Sequence, residues 1–159
     1  MEKTLILLKP SAIQRGHIGH IISRFENKGL RIAGLKMMQL TDEIIDEHYA
    51  HLLDKPFFPR IKASMMATPV IAGCIEGLDA VAVVRTLTGV TNGRNAAPGT
   101  IRGDFSMSVQ ENVIHASDSI ESAKTEINRF FKAEELFEYK LASFPFIYST
   151  DEAKQDSKE

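Results

Sequence analysis

The residues with most chemical potential gather in N-V-I-H-A-S-D-S, residues 112–119. His115 stands where an apolar run stops. Val113 and Ile114 read as strand, whereas Ser117, Asp118 and Ser119 read as a helix start, with Glu121 spaced from Asp118 as in a capping box. Two readings of the imidazole stand. It packs or caps, satisfied by one hydrogen bond, or it reacts. The second gains from two neighbours. A helix start offers free backbone N–H groups and favours anions. Glu126 also borders the inward face expected from Ile120, Ala123, Ile127 and Phe130. A carboxylate there needs a partner. An imidazole held on one nitrogen by a carboxylate presents the other as a nucleophile.

A cationic set comes next. Lys9 ends an apolar run, Arg85 borders the apolar stripe of Val83, Val84 and Leu87, and Arg94 and Arg102 sit in a glycine-rich stretch. Thr88 and Thr91 add hydroxyls. Cations, hydroxyls and backbone N–H groups suit a polyphosphate, whose transfer proceeds by positioning and charge stabilisation. Each charge taken singly also fits a solvated surface. The stretch is neither a P-loop nor a dinucleotide fingerprint. Of Phe57 and Phe58, which cannot both face one way on a helix, one suits the core and the other a platform for a base. His17, His20, His48 and His51 make no convincing metal set.

The elements that must position these groups can be read from periodicity. Thr4 to Leu8 is a short buried strand closed by Pro10. Ile18, Ile21, Ile22 and Phe25 mark a helix stopped by Gly29. Leu30 to Leu40 is a second strand, and Thr41 caps a helix carrying Ile44, Ile45 and His48. Pro56 breaks the chain before a short helix with Phe58, Ile61 and Met65. Pro69 to Ile75 is a third strand, and Leu78 to Thr88 is a helix. Residues 89–111 contain four glycines and a proline, and read as a long irregular functional loop. The strand N-V-I-H and the helix Ser119 to Phe131 follow. Ala133 to Tyr148 is mixed and packs on the surface. The order is βαββαβ at its core, an α+β, ferredoxin-like arrangement: a four-stranded antiparallel sheet with helices on one face. Residues 1–150 are expected to form a single domain, with 151–159 a polar, disordered tail.

Bulk properties agree with a globular chain. It has 159 residues, 43% hydrophobic and 25% charged, with net charge −2. Nothing pulls it globally toward nucleic acid or anionic membrane. A lone cysteine, Cys74, excludes an intrachain disulfide and fits a reducing compartment. With no signal peptide pattern and no spanning segment, a cytoplasmic location is expected.

At this point the residues resemble a known family. N-V-I-H-A-S-D-S fits the active-site signature N-x-x-H-[GA]-S-D of nucleoside diphosphate kinases. The likeness extends over residues 3–148, through LLKPSAIQRG, RFENKGLRI, PFFP, EGLDAV, PGTIRGDF and FFKAEEL. It implies a ferredoxin-like kinase that moves the γ-phosphate of a nucleoside triphosphate, typically ATP, to a nucleoside diphosphate. Transfer would be ping-pong through a phosphohistidine with Mg2+, maintaining nucleoside and deoxynucleoside triphosphate pools. By that resemblance His115 is the nucleophile, Glu126 orients its ring and Ser117 supplies a nearby hydroxyl. Lys9 and Tyr49 lie near the transferred phosphate, and Arg85, Thr91 and Arg102 hold the others. Asn112 reads the sugar, and Phe57 stacks under the base with Val109 opposite. No residue ligates the metal directly. The phosphates hold it, with Asp118 approaching through water. The family forms hexamers and, in some bacteria, tetramers. The C-terminal segment is as long as in hexameric members, which favours a homohexamer over the alternative homotetramer.

The chain departs from the family pattern at Ser11-Ala12, where many members have Asp-Gly, and at Gly93, where many have proline. Gln110-Glu111 replaces the common Gly-Arg before Asn112. These changes bear on assembly more than on the retained Lys9, Arg85, Arg102 and His115. A nucleic-acid-binding module on the same fold lacks support, since the aromatic-rich strand motif is missing and the pI is near 6.2. An inactive relative would have lost one of the four retained groups. A metal-dependent hydrolase built on the histidines is the weakest rival.

Overall fold

The structure, a computed structural model, describes residues 1–155. Four strands form one sheet: β1 (Glu2–Leu8), β2 (Arg31–Met38), β3 (Val70–Gly77) and β4 (Ile114–Ala116), in the order β2-β3-β1-β4. All three pairings are antiparallel. This is the ferredoxin-like α+β arrangement. β1 lies in the middle with β3 and β4 on its two sides, which is why T-L-I-L-L is apolar without alternation.

Helices cover both faces of the sheet, not one. Ile6 and Leu8 point into a core with Ile21 and Phe25 of α2 (Ile18–Lys28) and Val84 of α5 (Ala80–Thr88). Leu5 and Leu7 point into a second core. It holds Ile45 of α3 (Asp42–His48), Phe58 and Met65 of α4 (Phe58–Met66), and Ile127 and Phe130 of α7 (Ile120–Phe130). A strand buried on both faces needs this second layer, because each exposed leucine would forfeit roughly 1.5–3 kcal/mol of burial.

Local signals explain most boundaries. Thr41 caps α3 by accepting from Ile44 N, and Gly29 ends α2 in the left-handed region at φ 98°. A short helix α1 (Pro10–Gln14) follows β1, with Pro10 at its first position. The stretch 89–111 is more regular than its composition suggests. It contains a 3-10 turn at Gly93–Asn95 and a helix α6 (Ile101–Phe105) capped by Thr100, whose hydroxyl accepts from Gly103 N. Asn112 and Val113, expected in the last strand, instead form a turn before β4. Ile120 is half exposed, not inward, because α7 begins there and turns its first residue to solvent.

After α7 the chain runs back along β2, where Phe137 N donates to Ala33 O. The tail is not frayed at its start. Residues Thr150–Gln155 form α8, begun by a reciprocal cap in which Ser149 N donates to Glu152 Oε2 and Glu152 N to Ser149 Oγ. The expected disorder beyond it falls on residues 156–159, outside the described residues. Among the described residues no helix is long and apolar enough to cross a membrane.

Gly103 allows α6 to seat on the preceding loop, since a Cβ there would collide with the Ala97 carbonyl. Gly103→Ala is expected to cost about 1–3 kcal/mol, read as a lowered urea midpoint. An unchanged midpoint would mean the seat is not tight.

Candidate functional site

The β1–β4 pairing brings the distant groups together. Leu7 pairs with His115 and Leu8 with Ile114, and Lys9 N then donates to Val113 O at 2.9 Å. Lys9 at the end of one strand therefore lies beside the histidine strand. Between Asn112 and Ile114 the backbone makes a γ-turn, with Ile114 N donating to Asn112 O at 2.8 Å and Val113 at φ 63°. A buried β-branched residue in the left-handed region is strained.

Arg102 secures that turn. Its Nε donates to Asn112 O at 3.3 Å, its Nη2 to Ile114 O at 2.6 Å and its Nη1 to Gly89 O at 3.0 Å. Arg102 is thus buried on α6 rather than solvated in a loop. Burial, then the charge of Arg85, lowers its pKa to about 10, which leaves it cationic. Burial also lowers the Lys9 amine to about 8. Arg102 adds to the effect and Glu111 opposes it. Arg85 donates to Ala116 O at 3.4 Å. Among the described residues, none of these three cations has an ion-pair partner.

His115 Nε2 meets Glu126 Oε2 at 2.7 Å, and Ser117 Oγ donates to the same oxygen at 2.8 Å. Burial alone would raise the Glu126 carboxyl. The hydrogen bond and charge of His115, with the Ser117 hydroxyl, outweigh it and lower the pKa. Nδ1 of His115 has no hydrogen-bond partner among the described residues, and the ring borders a cavity of about 770 Å³. Lys9, Tyr49, Arg85, Thr91, Arg102 and Asn112 border the same cavity. Asp118 does too, although it is not the helix cap: Ser119 is, accepting from Ser122 N.

An adjoining cleft of about 350 Å³ lies between Phe57 and Val109, and shares Lys9, Tyr49, Thr91 and Asn112 with the first. Phe58 is buried and Phe57 is 40% exposed, so the adjacent aromatics divide as their spacing requires. Asn112 Nδ2 donates to the carbonyls of Thr91 and Val109, while its buried Oδ1 has no partner. An orphaned acceptor beside a cleft suits a ligand hydroxyl.

The structure also brings to the site two residues that the sequence did not connect with it, His48 and Arg129. His48 meets the His115 ring edge to face, with centroids 4.7 Å apart. Arg129 Nη1 lies 3.1 Å from His48 Nδ1. Arginine only donates, so Nδ1 accepts and the neutral ring carries its proton on Nε2. Burial first, then the charges of His115, Arg129 and His51, hold the His48 pKa near about 3, with Glu126 opposing. Tyr49 is raised to about 12 by burial and by Glu126, so it remains a hydroxyl. His48, His115 and Glu126 bring donor atoms within 4.8 Å of one another. Within the trio His115 Nε2 is hydrogen-bonded to Glu126, and His48 Nδ1 accepts from Arg129. Arg94 donates to Met107 O and borders neither cavity. His17 and His20 pack on Phe105, away from the site.

Comparison with known proteins follows the geometry. A family model described as nucleoside diphosphate kinase matches residues 2–136. The chain is 64% identical over 152 residues to a nucleoside diphosphate kinase of Parabacteroides distasonis, covering 96% of this chain and 99% of that one. It is 48% identical to nucleoside diphosphate kinase B of Bos taurus, covering 92% of this chain and 97% of the relative. The structure of a halophilic nucleoside diphosphate kinase from Halobacterium salinarum in complex with CDP superposes with a TM-score of 0.90 at 41% identity, covering 93% of this chain and 99% of that one.

The depressed Lys9 pKa sets a pH dependence. Lys9 is charged below about 8 and loses its charge as pH rises through that value. Polyphosphate affinity, read as kcat/KM of the free protein, should therefore fall on an alkaline limb near pH 8. Stability moves the other way. Between about 8 and the ordinary 10.5 the unfolded chain binds more protons at this lysine, so this group's penalty fades as pH rises. A flat kcat/KM profile from pH 7 to 9.5 would contradict this assignment.

Proposed function

The chain belongs to the nucleoside diphosphate kinase family, and from that premise we propose that His115 carries the phosphate between nucleotides. Members of the family transfer the terminal phosphate of a nucleoside triphosphate to a nucleoside diphosphate in ping-pong fashion through a phosphohistidine, and this chain is an enzyme of that kind. The observation that carries the residue assignment is the 2.7 Å contact between His115 Nε2 and Glu126 Oε2 beside a cavity bordered by Lys9, Arg85 and Arg102, which have no ion-pair partner among the described residues.

With Nε2 engaged, Nδ1 is the attacking nitrogen. Its lone pair forms the N–P bond in line as the bond from phosphorus to the β–γ bridging oxygen breaks, and the nucleoside diphosphate leaves with that electron pair. The ring becomes cationic with its proton on Nε2, facing Glu126, which stabilises the charge. Ser117 holds the carboxylate in place. Lys9 and the Tyr49 hydroxyl face the moving phosphoryl group, and Arg85, Thr91 and Arg102 take the charge of the remaining phosphates. A terminal oxygen of a second diphosphate reverses the steps in the same site. Asn112 Oδ1 accepts from a sugar hydroxyl, while the base stacks between Phe57 and Val109. Stacking reads no base in particular.

The donor set fits a hard cation held mainly by its substrate. Glu126 is occupied by His115 and Ser117, and exposed Asp118 borders the cavity, suited to an outer contact through water. Magnesium bound to the phosphates would supply charge neutralisation at their oxygens. We place the enzyme in the cytoplasm, a location supported by the free, buried Cys74, and read residues 1–150 as its single catalytic domain.

Assembly is part of the same reading. β2 is an edge strand whose exposed Leu35 and Met37 suit contact with another copy. We take the enzyme as a homohexamer, with a homotetramer as the alternative. Sedimentation velocity should give six subunits. A monomer would overturn both.

Incubation with γ-labelled ATP tests the chemistry. The protein should take up an acid-labile, alkali-stable label that His115→Ala does not accept. Uptake by that variant equal to wild type refutes the assignment. Glu126→Ala should slow transfer on the order of 10²-fold, by loss of ring orientation, with nucleotide affinity nearly unchanged.

A further inference from the structure

Four polar side chains cross the base cleft from wall to wall. Arg60 and Ser64 lie one turn apart on α4, the helix that Phe57 begins. Gln110 and Glu111 follow Val109 on the facing wall. Arg60 Nε donates to Gln110 Oε1 at 3.1 Å. Gln110 Nε2 donates to Glu111 Oε1 at 3.2 Å, and Ser64 Oγ donates to the same oxygen at 2.6 Å. Every bond has a donor opposite an acceptor, so the four form one continuous strap.

The strap is anchored firmly at both ends. On one side is the helix. On the other, Ser108 Oγ accepts from the backbone N–H of both Gln110 and Glu111, and Lys9 Nζ donates to Gln110 O at 3.4 Å. Met65, next to Ser64, is buried in the core, which fixes the helix wall. Phe57 and Val109, by contrast, are both substantially exposed, at 40% and 51%, on opposite sides of one cleft. Tying α4 to residues 110 and 111 sets their spacing.

We propose that Arg60, Gln110, Glu111 and Ser64 are positioning residues that hold Phe57 and Val109 at the separation a nucleobase needs. This rests on the reading of those two residues as the base clamp. The strap acts on the base and not on the phosphates. Its effect therefore depends on whether the substrate carries a base. Individual exposed polar pairs contribute little, so its loss moves KM modestly and leaves kcat in place. The two ends also act as one unit, so removing both costs no more than removing either.

The test compares ATP with ribose 5-triphosphate, which keeps sugar and phosphates but lacks the base. Gln110→Ala should raise KM for ATP about fivefold at constant kcat, with kcat/KM for the base-less donor unchanged. Arg60→Ala, on an exposed helix position, should do the same from the other wall, and the double variant should match either single one. The paired exchange Gln110→Glu with Glu111→Gln keeps a donor opposite every acceptor and should restore KM. An unchanged KM for ATP in both single variants overturns the proposal, as does an equal loss for the base-less donor, which would route the effect through Lys9. If wild type takes up no label from ATP, the phosphotransfer reading itself fails. If wild type is labelled and the variants bind ATP as it does, only the strap fails.

Discussion

The site depends on one buried guanidinium. Arg102 donates to carbonyls on both sides of Val113, and so holds a γ-turn at φ 63° that a β-branched residue resists. Strain of this kind costs about 1–3 kcal/mol. Two hydrogen bonds from a cation, each worth about 1.5–3 kcal/mol, offset it. The turn fixes what lies on either side. Asn112 is turned toward Thr91 and Val109, leaving its Oδ1 for a ligand, while Ile114 re-enters the sheet so that His115 falls opposite Leu7. Had the chain continued as extended strand from Asn112, alternation would place these side chains differently. Asn112, the β1–β4 pairing and His115 are thus placed together by a single residue reaching in from α6.

That arrangement gathers cations that have no direct ion-pair partner among the described residues. Lys9, Arg85 and Arg102 border one cavity without an ion-pair partner among the described residues, and the pKa values of Lys9 and Arg102 are depressed by burial and by neighbouring cations. Of the carboxylates bordering that cavity, Glu126 is committed to His115 and Ser117 and Glu47 to Arg129, while Asp118 and Glu121 make no ion pair with the three cations among the described residues. Burying cations without a direct partner costs stability, and an anion in the cavity would offset that cost.

How far this could be read from the sequence depended on whether the determining contact was local. Apolar runs and caps located all four strands and most helices, because T-L-I-L-L, Thr41 and Gly29 act within a turn of themselves. Glu126 was legible as a carboxylate at the border of an apolar face, and Phe57 and Phe58 as an adjacent pair that had to divide. α1 was missed although Pro10 at a helix start is a readable signal. Arg102 reads as a solvated loop cation, because the carbonyls that bury it lie up to thirteen residues away in the chain. His48 was legible only as a member of the inward face of its helix, with nothing to tie it to the site. Its partner Arg129 is 81 positions distant, and only the stacking of α3 on α7 brings them together. The family resemblance supplied the roles of Asn112 and Ser117 that spacing alone left open.

His48 shows what such a distant contact accomplishes. An imidazole 4.7 Å from His115 could become a second cation beside the nucleophile and oppose formation of the phosphorylated, positively charged ring. Two features prevent it. Burial among His115, Tyr49 and Phe130 penalises the charged form, and Arg129 occupies Nδ1, where a second proton would have to bind. Held at about 3, far below the ordinary imidazole value, His48 is neutral at neutral pH. Tyr49, raised to about 12, stays neutral from the other side. Packing thus keeps both rings beside His115 uncharged, and Glu126 alone answers the charge that develops on it. Lys9, whose amine burial lowers to about 8, lies on the cationic side of the same cavity.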